Sequence, residues 1–376
     1  MSFAKPNLRL NPNLQLSLPG KRKAGGVAGL DIEAGSIAAT EVVGSNGTSR
    51  VTGSAIEPLE PGVFHEGEVL DPDRLAAALK RLFSEHKLSK QVRLGVGNQR
   101  VVVRTLRLPA IEDPAEMDAA VRFQAQEQMP MPLDQAVLEH QVVGGVPAEE
   151  GAAPQVDVVV VAARRDMISS FVEPIRQAGL EPVGVDLSAF AMIRALADAG
   201  LADAGVEPGE RPSEAVLYCN VGDVTNLAVA RGRSCLFTRV SYAGLESICE
   251  RLSSTRGLTP EHAVQWLSYV GVERPVEELE GDPEILTEAR AALEEGVAVL
   301  LDDLRLSLDY YGAQESALPV GRIVLSGQGS TIPGLAARME ERLGATISVS
   351  RPAVLGGFDD AAAARLTLSY GLALES

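Results

Sequence analysis

An apolar strand that runs through a short turn of small and acidic residues into a second strand is written twice in this chain. The first copy is Val27-Ala-Gly-Leu-Asp-Ile32, a turn at Glu33 to Gly35, and a strand from Ile37 to Val43. The second is Ala215 to Val221, a turn at Gly222-Asp223, and Asn226 to Ala230, continued by a third strand from Ser234 to Val240. Short apolar runs bounded by turn residues read as β-hairpins. With 376 residues, 45% of them hydrophobic, the chain has material for two or three cores, which excludes a wholly disordered or fibrous protein. Each half therefore opens on the same hairpin, and the two hairpins can face each other across a cleft.

Helices are marked by their caps. Asp71-Pro72, Asp113-Pro114, Thr259-Pro260 and Asp282-Pro283 each set a side-chain acceptor before a first-turn proline, which fits the start of a helix. Leu75, Leu79, Leu82 and Phe83 then form one buried stripe, and Leu293, Val297, Leu300, Leu301, Leu304 and Leu308 form another in a helix reaching about Tyr310. Between Gln91 and Gly179 the rhythm changes to strands near 92–96 and 100–108, a helix, then strands near 136–143 and 156–162. A helix from Asp166 should be kinked or shortened by Pro174 and stop at Gly179. Gly200 to Pro212, rich in Gly, Pro and acids, reads as a boundary. Ser326-Gly-Gln-Gly-Ser-Thr-Ile-Pro-Gly334 is a glycine-rich loop between a strand and a helix.

Charge is unevenly divided. The chain carries −17 overall, yet residues 1–30 hold Lys5, Arg9, Lys21, Arg22 and Lys23 and no acid. The acidic body argues against nucleic-acid binding, which needs a dense basic face. In the tail, Asn-Leu-Arg-Leu at 7–10 is echoed by Asn-Leu-Gln-Leu at 13–16, so Leu8, Leu10, Leu14, Leu16 and Leu18 share one side of an extended chain. The tail reads as flexible, or as a docking strand or a basic arm toward an acidic partner or anionic lipid. The longest apolar run, Val158 to Ala163, is far short of a membrane span. Three scattered cysteines, with no Cys-x-x-Cys pair and no secretion signal, suit a cytoplasmic location, and the four histidines lack metal-ligand spacing.

Two facing hairpins can hold a polyphosphate on backbone N–H groups, with small turn residues permitting close approach. Asp31 would then hold magnesium, and Gly327, Gly329 and Ser330 would offer exposed backbone to an adenosine or phosphate.

This arrangement resembles the actin-like ATPase superfamily and, within it, the type IV pilus assembly PilM family. The residues that carry the resemblance are Gly29-Leu-Asp-Ile-Glu-Ala-Gly-Ser36, Arg122-Phe-Gln-Ala-Gln-Glu-Gln-Met-Pro-Met-Pro-Leu-Asp134, and Ala162-Ala-Arg-Arg-Asp166 with Ala178-Gly-Leu-Glu-Pro-Val-Gly-Val-Asp186. Phe237-Thr-Arg239, Arg256 to Ala263 and Ile323 to Leu335 extend it over most of residues 27–376. The resemblance implies an α/β, two-lobed actin-like (ribonuclease H-like) fold with a small α+β subdomain inserted in the first lobe, the layout of FtsA. On that basis 1–26 is a basic tail, 27–91 with 179–199 the first lobe, and 92–178 the insertion. Residues 200–213 would be a linker and 214–376 the second lobe, with a helical subdomain at about 244–312.

It further implies a cytoplasmic scaffold, peripheral at the inner membrane, that grips the N-terminal tail of a PilN-like membrane protein between the first lobe and the insertion and joins it to the pilus motor. Arg104, Leu106, Phe123 and Gln126 are the candidate groove residues. The nucleotide candidates are Asp31, Gly35, Ser36, Gly222, Thr225, Gly327, Gly329 and Ser330, with ATP and magnesium as cofactors. The sequence departs from the family at that site. Glu33 stands where a glycine belongs, Ala38 where a lysine belongs, and Asn220 where an acid belongs, while Gln328 replaces a glycine and Val264 and Leu267 replace Glu and Lys. A carboxylate beside incoming phosphates is repelled, so weakened or lost nucleotide binding and no appreciable hydrolysis are expected. The alternative is an active actin-like ATPase or small-molecule kinase; an FtsA-like division protein would need a C-terminal membrane helix, which Gly371 to Ser376 does not supply.

Overall fold

In a computed structural model, which describes residues 16–17, 26–44, 49–146, 153–203, 213–314 and 317–374, the two halves build sheets of the same design. After a short β1 (Leu16–Ser17), the strands β2 (Val27–Ile32), β3 (Ser36–Val43) and β4 (Arg50–Pro58) form an antiparallel meander. The ribbon β5 (Phe64–His65) and β6 (Glu68–Val69) precedes α1 (Pro72–His86) and β7 (Gln91–Val96), which runs parallel to β2. A separate unit follows: β8 (Val101–Pro109), α2 (Pro114–Gln128), β9 (Ala136–Val146) and β10 (Gln155–Arg164), its strands ordered β8-β10-β9. Then α3 (Arg165–Gln177) returns the chain to the first lobe, and β11 (Glu181–Leu187) joins parallel to β7.

The helix α4 (Ser188–Asp203) leads to a second meander, β12 (Ala215–Val221), β13 (Thr225–Arg231) and β14 (Ser234–Ser241). Three helices cross over, α5 (Leu245–Arg256), α6 (Pro260–Val270) and α7 (Pro283–Gly312), before β15 (Val320–Ser326) pairs parallel to β12. A 3-10 turn (Gln328–Thr331), α8 (Leu335–Leu343), β16 (Thr346–Val349) and α9 (Asp360–Ala373) complete the described chain. The first sheet reads β4-β3-β2-β7-β11 with β1 added outside; the second reads β14-β13-β12-β15-β16. Both place three antiparallel strands beside two parallel ones, and a parallel partner requires the long crossover each lobe supplies.

The caps hold as read. Asp71 accepts from the Arg74 N–H, Asp113 from Ala115 and Glu116, Asp282 from Glu284 and Ile285. Helix α3 runs through Pro174 for three more residues, and the chain turns at Gly179 with φ +79°.

Some boundaries differ from the sequence reading. β7, expected in the insertion, is buried along its whole length between β2 and β11; its alternating Gln91 and Arg93 read as a solvent face, but both are buried. Phe171, Val172 and Ile175 of α3 join Leu75 and Leu79 in the first-lobe core, so the insertion is 101–164 rather than 92–178. α9, expected with the second lobe, packs on β2 and β3 of the first. A Cβ on Gly29 would stand 2.0 Å from the Ser369 carbonyl oxygen, so glycine is what lets strand and helix meet. Arg93 donates to the Leu372 and Leu374 carbonyls at 2.7 Å, and Arg194 to that of Gly371 at 3.1 Å, satisfying the helix C-terminus. Of the expected linker, 200–203 continue α4 and 204–212 lie outside the described residues, as does the tail apart from 16–17 and Gly26.

Candidate functional site: two hairpin turns and a buried arginine

The turn of the first hairpin (Glu33 to Gly35) meets the turn of the second (Gly222 to Val224). The Gly35 N–H donates to Asp223 Oδ2 at 3.0 Å, and the Ala34 N–H donates to the same carboxylate. In return, the Asp223 N–H donates to the carboxylate of Glu33. Turn N–H groups that point inward in this way form an anion cradle, and here each cradle holds a carboxylate from the opposite lobe. Glu33 is buried at 8% exposure, and Gly222 makes room for it, since a Cβ there would lie 2.1 Å from Glu33 Oε1.

Arg365, projecting from α9 at 3% exposure, places one positive charge among these acids. Its Nη1 pairs with Asp31 Oδ2, its Nε donates to Ser36 Oγ at 2.7 Å, and its Nη2 reaches the Ser36 and Asp31 carbonyls at 2.9 and 3.2 Å. Glu33 Oε2 lies 3.3 Å from Nε. Burial pushes the Glu33 carboxyl up to about 8; Arg365 opposes the rise, and Asp223 and Asp31 add to it. Burial also raises Asp223, against the N–H donors of Gly35 and Ala34. A second contact ties the lobes together at the edge of the cleft: His65 Nδ1 sits 2.9 Å from Glu246 Oε1 and 3.5 Å from Glu250, and the Glu66 N–H donates to Glu246.

Of the eight nucleotide candidates, Asp31, Gly35 and Ser36 gather at this cluster with Gly222. Asp31 lines the cavity between the hairpins, with its Oδ2 engaged by Arg365. Thr225 gives its hydroxyl to the Ala243 carbonyl. Gly327 and Gly329 pack on Val221, where a Cβ would meet the Val221 carbonyl oxygen at 2.6 Å or its Cγ1 at 2.4 Å, and Ser330 bonds back to Gly327. These glycines serve close packing of loop on hairpin rather than exposed backbone. The cavity between the hairpins, lined by Asp31, Glu33, Gly95, Gly97, Asp223 and Asn226, is about 20 Å³, the space of about one water. A second, of about 40 Å³, lies among Leu245, Val264, Leu267, Gln328 and Ile332. In this arrangement the Gly35 N–H is engaged by Asp223 and the cavity between the two turns is too small for a phosphate group.

The sequence reading missed Arg365 and Asp223. A lone cation in Asp360-Ala-Ala-Ala-Ala-Arg-Leu-Thr-Leu-Ser-Tyr-Gly-Leu-Ala373 was the available signal, because a charge in a buried helix needs buried partners. The four groove candidates are not brought together at the lobe boundary. Leu106 is in the core of the insertion with Val121 and Ala125, Phe123 and Gln126 are exposed on α2, and Arg104 is exposed on β8.

Duplicated lobes with hairpins opposed across the cleft define an actin-like ATPase fold. Solved structures share it: ethanolamine utilization protein EutJ from Carboxydothermus hydrogenoformans (14% identity, TM-score 0.51, covering 98% of this chain and 92% of that one) and ADP-bound MreB5 of Spiroplasma citri (12%, 0.50, 93% and 95%). Within that class, the family described as type IV pilus assembly protein PilM matches residues 29–374, and the chain belongs to it. A PilM-PilN type IV pilus biogenesis complex matches at 25% identity with a TM-score of 0.75, over 93% of this chain and 98% of the matched chain. Among the described residues no helix is long and apolar enough to cross a membrane.

Proposed function

We propose that this protein is a scaffold of type IV pilus assembly that binds the cytoplasmic N-terminal tail of a PilN-like inner-membrane protein and couples it to the pilus motor. It sits in the cytoplasm and reaches the membrane through that partner. The observation that carries the reading is the exchange of carboxylates between the two hairpins, taken with family membership and the likeness to a PilM-PilN complex. Glu33 and Asp223 fill the places that phosphates would take, and Arg365 supplies the positive charge among them, so the lobes close without nucleotide and ATP binding is weakened or lost. Catalysis is then not the protein's task; it presents a surface. The partner's tail is seated between the first lobe and the insertion, where an extended peptide meets both a sheet edge and the three-stranded unit.

The likeness to a nucleotide-bound relative favours a second reading, in which ATP displaces Glu33 and opens the turns. The test of the first is titration of a fluorescent PilN-like N-terminal peptide into the purified protein without nucleotide. Saturable binding that added magnesium-ATP leaves unchanged is expected, whereas no binding to any PilN-like tail would remove the scaffold reading.

A further inference from the structure

The outermost long strand of the first-lobe sheet, β11, is bonded to β7 on one side only. On its other side lies β1 from the chain's own tail, antiparallel, with Leu16 opposite Val185 and Ser17 opposite Gly184. β1 also lies against β9 of the insertion. β1 therefore lies at the junction between the first lobe and the insertion, the place where the proposed function seats the partner. A sheet edge has one row of N–H and C=O groups and accepts one strand at a time.

We propose that residues 1–26 are a built-in competitor for this junction: the tail pairs with the edge of β11 and the partner's extended peptide must displace it. The proposal rests on the reading of the junction as the partner's groove. Three observations favour the tail as occupant. Its leucines alternate through two similar segments, Asn7-Leu-Arg-Leu10 and Asn13-Leu-Gln-Leu16, as a strand requires. Its five cations and absence of acids are drawn to a body that carries the chain's whole excess of acid. The tether also reaches. β1 and β2 are three strand spacings apart, about 14 Å, and nine residues, the number from Leu18 to Gly26, can span up to about 30 Å. β1 can thus leave without disturbing β2. Tethering keeps the strand at a high effective concentration, so a weak intrinsic affinity suffices.

The test compares the full chain with Leu16→Pro, which removes a donor from β1, and with a form lacking residues 1–26. Two quantities are read: amide hydrogen exchange over Val183 to Leu187 without partner, and affinity for the fluorescent PilN-like peptide. Expected are faster exchange in both variants and peptide binding tighter by about tenfold, the gain when a site available a tenth of the time becomes always available. Unchanged exchange overturns the pairing, and faster exchange with unchanged affinity overturns the competition. If no form binds the peptide, the groove reading fails by itself. Self-docking is then judged by whether a synthetic peptide of residues 8–20 restores protection of β11 in the truncated form; absence of protection overturns it.

Discussion

The carboxylate of Glu33 fills the space left by the absent side chain of Gly222: one oxygen lies 2.1 Å from where a Cβ would stand, and the Asp223 N–H donates to the group. The contact joins the two lobes through a residue that the family pattern fills with glycine. It follows that Gly222→Ala pushes Glu33 out of the cradle and destabilises the closed arrangement by about 1–3 kcal/mol. Glu33→Ala added to it should restore part of that loss, giving a coupling of at least about 0.5 kcal/mol in a double-mutant cycle by urea denaturation. Strict additivity would mean the two residues do not meet.

Among the described residues, Arg365 is the one cation paired with the Asp31 and Glu33 carboxylates. Arg365→Met leaves both acids buried without it, and a loss of about 3–5 kcal/mol is expected, as for one partner removed from a buried ion pair. Asp31→Ala should lower stability too, in the absence of any nucleotide, which makes it a poor reporter of magnesium binding. A loss below about 1 kcal/mol on Arg365→Met, the range of surface pairs, would contradict the burial of the cluster.

Stability should fall as pH rises from about 4.5 toward about 8. Glu33 ordinarily titrates near 4.5 and is pushed to about 8 in the fold, so over that interval the folded chain holds a proton that the unfolded chain has released. Raising the pH then favours unfolding. Asp223, raised by burial, works in the same direction. His65, raised by its hydrogen bond to Glu246, also loses its contribution as pH climbs through its folded value, though it is largely exposed to screening. Glu33→Gln should flatten the profile of denaturation midpoints against pH while Asp223 and His65 leave a residual slope. An unchanged profile would mean that Glu33 titrates normally.

Gly29 tests the seat of α9. A Cβ there meets the Ser369 carbonyl oxygen at 2.0 Å and the Ala373 nitrogen at 2.5 Å, both backbone atoms. Gly29→Ala should cost about 3 kcal/mol, the upper range for overpacking, and since α9 carries Arg365 it should also disturb the cluster. A melting temperature within a degree of the parent would place α9 elsewhere.

Much of this architecture was legible because its signals are local. Asp-Pro caps, the paired hairpins and the glycine-rich loop are each written within a few residues, and Glu33 and Asn220 stood out as misfits to the resemblance. What escaped is non-local. Arg365 lies 334 positions from Asp31, and nothing near either residue names the other. β7, Gln91-Val-Arg-Leu-Gly-Val96, alternates like a half-exposed strand, whereas Gln91 and Arg93 are buried between non-local partners that no local pattern names. The glycines at 327 and 329 suggested a ligand, whereas their neighbour is Val221. Of the tail, Leu16 and Ser17 are described as a strand, and the edge they meet belongs to their own chain.

The central claim is that side chains of this protein occupy its own phosphate cradle, and calorimetric titration of magnesium-ATP into the intact, nucleotide-free protein tests it most directly. No binding heat is expected up to about 1 mM ATP, an affinity weaker than about −4 kcal/mol, and Glu33→Gly, which empties one cradle, should bind more tightly than the parent. Micromolar binding by the parent would contradict the claim, because the turns would then release Glu33 and Asp223 to phosphate.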